Sequence, residues 1–160
     1  GPLRPRIVEV SKARFGLDES SFAEGLNRIL TMASLVEREA KIAKDRPLIA
    51  AVLWNRLSKK MRLEVCATVS YRPGESTNNK SKVYLTDLRV DSPYNTYVHA
   101  GLPPAPICNP GLASIKAALY PANSDYLFYV ARPDGSHVFS RTFQEHLAAK
   151  RREQGIGNRE

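Results

Sequence analysis

An α+β domain, mainly helical with a small antiparallel β element, is the fold class this sequence predicts, on three observations. Apolar residues recur at helical spacing through residues 22–40 and again through 48–57. Two short runs rich in aromatic and β-branched residues flank Pro133-Asp134-Gly135-Ser136, a hairpin signal. A chain of 160 residues with 42 % hydrophobic content suits one domain with a real core.

Taken in order, Ile7-Val8-Glu9-Val10 predicts a short extended piece before a turn at Gly16. Ser21 with Glu24 three residues on has the capping-box pattern. Phe22, Leu26, Ile29, Ala33, Val36 and Ala40 then mark one face of a long helix. Asp45 reads as the cap of a second helix with Pro47 in its first turn. That helix has apolar positions at Leu48, Ile49, Val52, Leu53 and Leu57. Trp54 falls at an edge of the core, and Asn55 and Arg56 come late in the helix. Between Met61 and Tyr71 the alternation of Met61, Leu63 and Val65 predicts a short strand. Residues 72–82 form a polar loop, expected to be the most mobile segment, and Thr86-Asp87-Leu88 starts a single helical turn.

From Ser92 to Gly111, Pro93, Pro103, Pro104, Pro106 and Pro110 forbid both a long helix and a central strand. A loop of this length in a compact domain is disordered or built for binding, and the rigid prolines and aromatics favour binding. Tyr94, Asn95 and Tyr97 combine hydrogen-bonding groups with flat apolar faces, as sugar ligands require; tyrosines covering a core edge are the structural alternative. Asn109-Pro110 predicts the cap and first turn of a helix through Ser114, Ile115 and Leu119, ending before Pro121. The hairpin pairs Tyr126–Ala131 with His137–Ser140. Thr142 with Glu145 caps a last helix, which fades into a basic tail frayed from Gly155.

The formal charge of +8 predicts attraction to polyanions. The densest basic groups, Arg56/Lys59/Lys60/Arg62 and Lys150/Arg151/Arg152, form no stripe, and no zinc-finger or RNA-recognition spacing occurs. Nucleic acid is therefore not the expected partner, and an acidic carbohydrate or peptide polymer fits the charge as well. Cys66 and Cys108 are either buried thiols or one disulfide. His99, His137 and His146 share no metal-ligand spacing, so no metal and no cofactor are expected. No apolar run reaches the roughly 18 residues of a membrane span. Gly1-Pro2 matches the scar left when a purification tag is removed, which predicts a natural N-terminus further upstream.

Neither a Gly-x-Ser-x-Gly elbow nor a phosphate-cradling glycine loop is present, which leaves carboxylates as the candidate chemistry. Glu39 stands out as an acid where a helix should be apolar. Its same-face neighbours are Leu35, Val36, Ile42 and Ala43, none able to pair with it. Glu37 has Lys41 at i+4 and reads as a solvated surface pair. Burial without a partner would raise the Glu39 pKa toward values useful for proton donation; the bland alternative is a helix-border side chain reaching into water. Ordinary glycoside hydrolysis wants a second carboxyl, which by elimination is Glu64, Asp87 or Asp91. A reaction whose nucleophile belongs to the substrate needs only one.

Several blocks then resemble, in order, the catalytic domain of the endolytic murein transglycosylases, the YceG-like or MltG family. They are Leu30–Ala40, Val52-Leu53-Trp54-Asn55-Arg56-Leu57, Met61-Arg62-Leu63-Glu64, Thr68-Val69 with Tyr71, and Ser92-Pro93-Tyr94-Asn95-Thr96-Tyr97. Gly101–Ile107, Asn109-Pro110-Gly111, Ser114–Ala118 and Pro121–Val130 complete the set, which covers about residues 28 to 147. The resemblance implies a mainly helical, lysozyme-like catalytic domain over 28–150, with 1–27 as lead-in and 151–160 as tail. It implies a lytic transglycosylase that cuts the β-1,4 bond between N-acetylmuramic acid and N-acetylglucosamine in nascent peptidoglycan, leaving a 1,6-anhydro end. Glu39 takes the place of the family's single acid, later base. Glu64, Thr68, Tyr71, Tyr94, Asn95 and Tyr97 would line the cleft. The positive charge then suits an acidic peptidoglycan strand.

Further expectations follow from the same resemblance. They are a place on the extracytoplasmic, or periplasmic, face of the cytoplasmic membrane, an anchor and a LysM-like module upstream, and penicillin-binding synthases and the elongation machinery as partners. The chain departs from the family at Leu63-Glu64-Val65-Cys66-Ala67-Thr68, where members read Leu-Gln-x-Asp-Pro-Thr. Glu64 near Glu39 would raise its pKa by like-charge repulsion. Loss of the Asp-Pro pair is the best support for an alternative, a weakened peptidoglycan-binding module. A muramidase, using water as nucleophile, is the nearest enzymatic alternative.

Overall fold

In a computed structural model, residues 1–73 and 88–155 are described, with side chains through Glu153. The polar loop beyond Pro73, Thr86-Asp87 and the tail after Gly155 lie outside the described residues. Among the described residues, six α-helices and one hairpin follow in order: α1 (Arg4–Phe15), α2 (Phe22–Glu39), α3 (Arg46–Ser58), α4 (Cys66–Ser70), α5 (Leu112–Leu119), β1 (Phe128–Ala131), β2 (His137–Ser140) and α6 (Phe143–Gly155). The α+β class and the small antiparallel element agree with the sequence.

The central element is α2, which packs on α1, α3 and α5. Ile29, Met32, Ala33, Leu35 and Val36 are fully buried along it, joined by Ile49, Leu53, Trp54, Ala118 and Leu119. Trp54 lies inside this core and not at its edge, because its indole Nε1–H donates to Ala118 O at 2.9 Å and needs no water. The two following residues also reach out of α3. Asn55 donates to Ser124 O and Tyr126 O, both at 2.9 Å, and Arg56 Nε donates to Leu127 O at 2.7 Å. Consecutive helical positions point in different directions, so Trp54-Asn55-Arg56 ties α5 and the lead-in to β1 onto one helix.

Several local expectations are corrected. Residues 7–10 belong to α1 and are not extended. Pro5 starts that helix, Gly16 (φ +67°) ends it, and Ile7, Val10 and Ser11 bury one face at three- and four-residue spacing. Ser21 makes no capping bond; Asp18 accepts from Ser20 N in the 3₁₀ turn before α2. Residues 61–65 have the predicted alternation, with Leu63 and Val65 buried, but pair with no strand among the described residues, and Cys66–Ser70 is helical. The cap of α5 is Gly111 and not Asn109. The Thr142/Glu145 box does form: Glu145 N donates to Thr142 Oγ1 at 3.1 Å and Arg141 N to Glu145 Oε1 at 2.9 Å. Helix α6 continues to Gly155, beyond the start of the stretch read as a tail. The hairpin is as predicted, with Tyr129 opposite Phe139 and Ala131 opposite His137.

Gly25 lets α1 and α2 touch. A Cβ there would overlap the Ser11 hydroxyl and lie 2.8 Å from Ser11 Cβ. Gly25→Ala should therefore lower stability by about 1–2 kcal/mol, overpacking outweighing the better helix propensity of alanine. Urea denaturation measures this; an equally stable variant would mean that the helices slide apart freely.

Candidate active site

Helix α2 ends at Glu39, because Ala40 turns to an extended conformation (φ −80°, ψ 130°). The turn removes the i+4 relation between Glu37 and Lys41, so the expected surface pair does not form. Glu37 Oε1 instead accepts from Gly111 N at 3.0 Å and Ser114 Oγ at 2.8 Å. It sits at the N-terminus of α5, where those bonds hold its pKa below the usual carboxylate range.

Glu39 points the other way, toward the hairpin. Its Oε1 accepts a 2.7 Å hydrogen bond from the Tyr129 hydroxyl, so it is not without a partner. The Tyr129 ring meets the His137 ring edge-on, with centroids 5.3 Å apart. His137 is anchored in turn by Asp45. Its backbone N–H donates to Asp45 Oδ2 at 3.1 Å, and Nδ1 lies 3.2 Å from the same oxygen. Both side chains are almost fully buried. The hairpin tip seats closely on the turn after α2: a Cβ at Gly135 (φ +93°) would lie 3.3 Å from Lys41 Cβ.

Burial raises the Glu39 pKa; the Tyr129 bond and, more weakly, the charges of His137, Lys41 and Arg38 oppose that rise. Glu64 is not among the causes, so desolvation replaces the expected like-charge repulsion. Tyr129 is pushed well above its ordinary value by burial and by the Glu39 charge, and so keeps its proton and remains a donor. Tyr97 is also raised, by burial first and then by its contact with Cys66.

These groups open into a cleft of about 810 Å³ lined by the end of α2, the 63–70 segment, Tyr97, the hairpin and α6. A groove of about 590 Å³ between Phe15, Arg28, Trp54 and Pro103 holds none of them. Of the candidates from sequence, Glu39, Glu64 and Tyr97 line the cleft. Glu64 adopts a left-handed backbone (φ +55°), and its half-exposed carboxylate lies 3.9 Å from Arg56 Nη1.

Thr68 and Asn95 are fully buried behind the wall. Thr68 Oγ1 bonds Val65 O at 2.6 Å and Thr96 Oγ1 at 2.9 Å. Asn95 Nδ2 donates to Leu88 O and Val90 O, while its Oδ1 accepts from Tyr97 N at 2.9 Å. Thr68 holds Thr96 and Asn95 holds Tyr97, and neither side chain has exposed surface. Tyr71 and Tyr94 pack on each other, with centroids 4.8 Å apart, and are not in the cleft lining. Asp91 is outside the lining, its side chain 95 % exposed near His99; Asp87 is not described.

Cys66 and Cys108 are both free thiols and not a disulfide. Cys66 Sγ lies 3.2 Å from Tyr97 OH at the cleft wall. Sequence reasoning missed Tyr129, His137, Asp45 and Arg56 as parts of the site. Arg56 and Tyr129 fall inside blocks of the family resemblance, whereas Asp45 and His137 had only local signals, a helix cap and a hairpin, with nothing to say that the two meet beside Glu39.

With this geometry in hand, comparison with known proteins is specific. Residues 7–152 match the YceG-like family. A Bacillus subtilis protein named endolytic murein transglycosylase is 48 % identical over 125 residues, covering 78 % of this chain and 34 % of that protein. A Streptococcus pneumoniae protein of the same name is 38 % identical over 122 residues, covering 75 % of this chain and 22 % of its own length. The chain thus spans about a third of one of these curated relatives and less of the other. The crystal structure of a yceG-like protein from Listeria monocytogenes superimposes with a TM-score of 0.70 at 45 % identity, covering 88 % of this chain and 44 % of that one.

Proposed function

The chain belongs to the YceG-like family, and from that premise we propose that it is an endolytic lytic transglycosylase acting on peptidoglycan strands through Glu39. The observation that carries the reading is a desolvated carboxyl on the wall of an open cleft, held by a tyrosine that cannot itself give up its proton near neutrality. Glu39 starts protonated and donates to the oxygen of the β-1,4 bond between N-acetylmuramic acid and N-acetylglucosamine. As the carboxylate, it then takes the proton from the muramyl C6 hydroxyl while that oxygen attacks C1, closing the 1,6-anhydro ring. Tyr129 holds Oε1, so the other oxygen faces the substrate through both steps. Tyr97 and Arg56, in the same wall, offer a hydroxyl and a fixed positive charge to the polar groups of the sugar. Such a substrate places the domain on the outer face of the cytoplasmic membrane, with strand-making synthases of the elongation machinery as its natural partners.

Mass spectrometry of uncrosslinked strands after digestion tests the reading. Anhydromuramyl ends are expected. Reducing ends would instead mean a muramidase, whose water-activating base would be Glu64, the other carboxylate among the described cleft residues. Absence of any cut with strand binding intact would mean a binding module.

The pH profile gives an independent check. Glu39 must begin protonated, so cleavage is complete below its raised pKa and falls as pH rises through it. The Tyr129 bond favours the carboxylate. Tyr129→Phe should therefore move the alkaline limb upward, while positioning loss lowers kcat roughly ten-fold. An alkaline limb that stays in place would mean that Tyr129 does not govern the acid.

A further inference from the structure

The cleft carries more positive charge than a neutral sugar backbone can use. Arg38 and Lys41 come from the end of α2 and the turn after it, Arg56 from α3 and Lys150 from α6, with the His146 imidazole beside Lys150 as a polar group. Against them stand Glu39, which burial biases toward the neutral form, and Glu64, near Arg56 at 3.9 Å. Among the described residues, Arg38, Lys41 and Lys150 have no carboxylate within salt-bridge distance. Glu153, the acid one turn beyond Lys150, lies 3.9 Å from Arg132.

The wall formed by α3 and α6 is the most telling part. His146 and Lys150 share a helix face at i and i+4. The His146 ring stacks on Phe128, centroids 5.0 Å apart, and its Nδ1 is enclosed with no hydrogen-bond partner. Burial and the charges of Lys150 and Arg56 depress its pKa, as expected of basic groups crowded together with too little anion among them. Arg56 is fixed there by its bonds to Leu127 O and Arg62 O, so its charge cannot swing away.

We propose that Lys150, backed by Arg56 and His146, forms a subsite for a carboxylate carried by the substrate strand, so that the cleft selects glycan bearing free-acid peptide or lactyl groups over glycan whose carboxyls are blocked. The inference rests on the peptidoglycan reading and names which chemical form of that polymer is taken.

Calorimetric titration of the Glu39→Gln chain, which keeps strands uncut, tests it. Uncrosslinked strands are acetylated on their amino groups, and in one of two samples the carboxyls are converted to primary amides. The free-acid sample should bind more tightly, by roughly three-fold or more, with the gap closing as salt rises. Lys150→Gln should narrow the gap. Lys12→Gln, which removes the same charge from an exposed site on α1 outside the cleft, should leave it intact. Equal binding of the two samples, or equal effects of the two lysine variants, would overturn the subsite and leave the transglycosylase reading standing. Binding of neither sample would overturn both.

Discussion

Glu39→Gln is expected to lower strand cleavage by about 10²–10⁴-fold, the range associated with losing one general acid–base group. The substitution keeps the shape and an acceptor oxygen for Tyr129, whose hydroxyl reaches Oε1 at 2.7 Å. In the proposed mechanism it removes the proton delivered to the glycosidic oxygen and the base that takes the C6 proton. Of the described groups nearest to it in chemistry, Tyr129 holds its proton and Glu64 is half-exposed beside Arg56, so neither replaces both functions. Strand binding should persist, so the loss belongs to kcat. Cleavage assays under saturating strand concentration decide it; a variant retaining a tenth of the activity would remove Glu39 from the chemistry.

The same variant should be more stable than the parent, with a definite pH dependence. A carboxyl whose pKa is raised on folding favours the folded state most while it is protonated. That contribution is complete below the unfolded pKa and is lost as pH rises through the raised folded one. Glutamine has no proton to lose. The two proteins should therefore melt alike below about pH 4, and Glu39→Gln should melt higher at pH 8. Strain of this kind, retained at a position that the fold would prefer neutral, is characteristic of a functional group.

Much of this arrangement was legible in the sequence where the information is local. The face of α2, the Thr142/Glu145 cap and the hairpin turn each depend on residues within a few positions of one another; the cap and the turn formed as read, and the α2 face did so as far as Val36. Helix α1 was misread because Ile7-Val8-Glu9-Val10 has a strand-like composition, whereas burial picks out Ile7, Val10 and Ser11 at helical spacing. Tertiary packing overrode β propensity there. The alternation at 61–65 reported one-sided burial truthfully but could not say whether a partner strand existed.

At the candidate site, Glu39 was legible as a polar residue on an apolar face, although that face is shorter than expected. Nothing in the residues around Glu39 announces that the helix stops there, so Ile42 and Ala43 were counted as neighbours when they lie beyond the turn. The groups that set its chemistry come from afar: Tyr129 lies 90 positions along the chain, and Asp45 and His137 are 92 apart. Asn95 shows the converse error. Its polar side chain in a proline-rich loop suggested a ligand contact, yet a buried amide also satisfies the carbonyls of its own loop, and that is where its bonds go.

Asp45→Ala should destabilise the domain by about 3–5 kcal/mol, the cost of removing one partner from a buried pair. Asp45 occupies the N-cap position of α3 but makes no capping bond with its side chain. Its carboxylate is spent on His137, whose backbone N–H and Nδ1 approach Oδ2 at 3.1 and 3.2 Å. Both side chains are nearly sealed from water, so alanine would leave two polar groups without a partner and a void beside them. A two-stranded hairpin has little stability of its own. This one is held by the Asn55 and Arg56 bonds to its lead-in, by α6 and by Asp45. Losing the last of these frees the end of β2 that supports the Tyr129 ring, so the grip on Glu39 should loosen as well. Cleavage should then fall further than the unfolded fraction accounts for, while Asp45→Asn, which keeps an acceptor for the N–H, should lie between. Chemical denaturation with parallel activity measurements separates the two effects. An Asp45→Ala protein as stable and as active as the parent would show that the hairpin is seated over Glu39 without this pair.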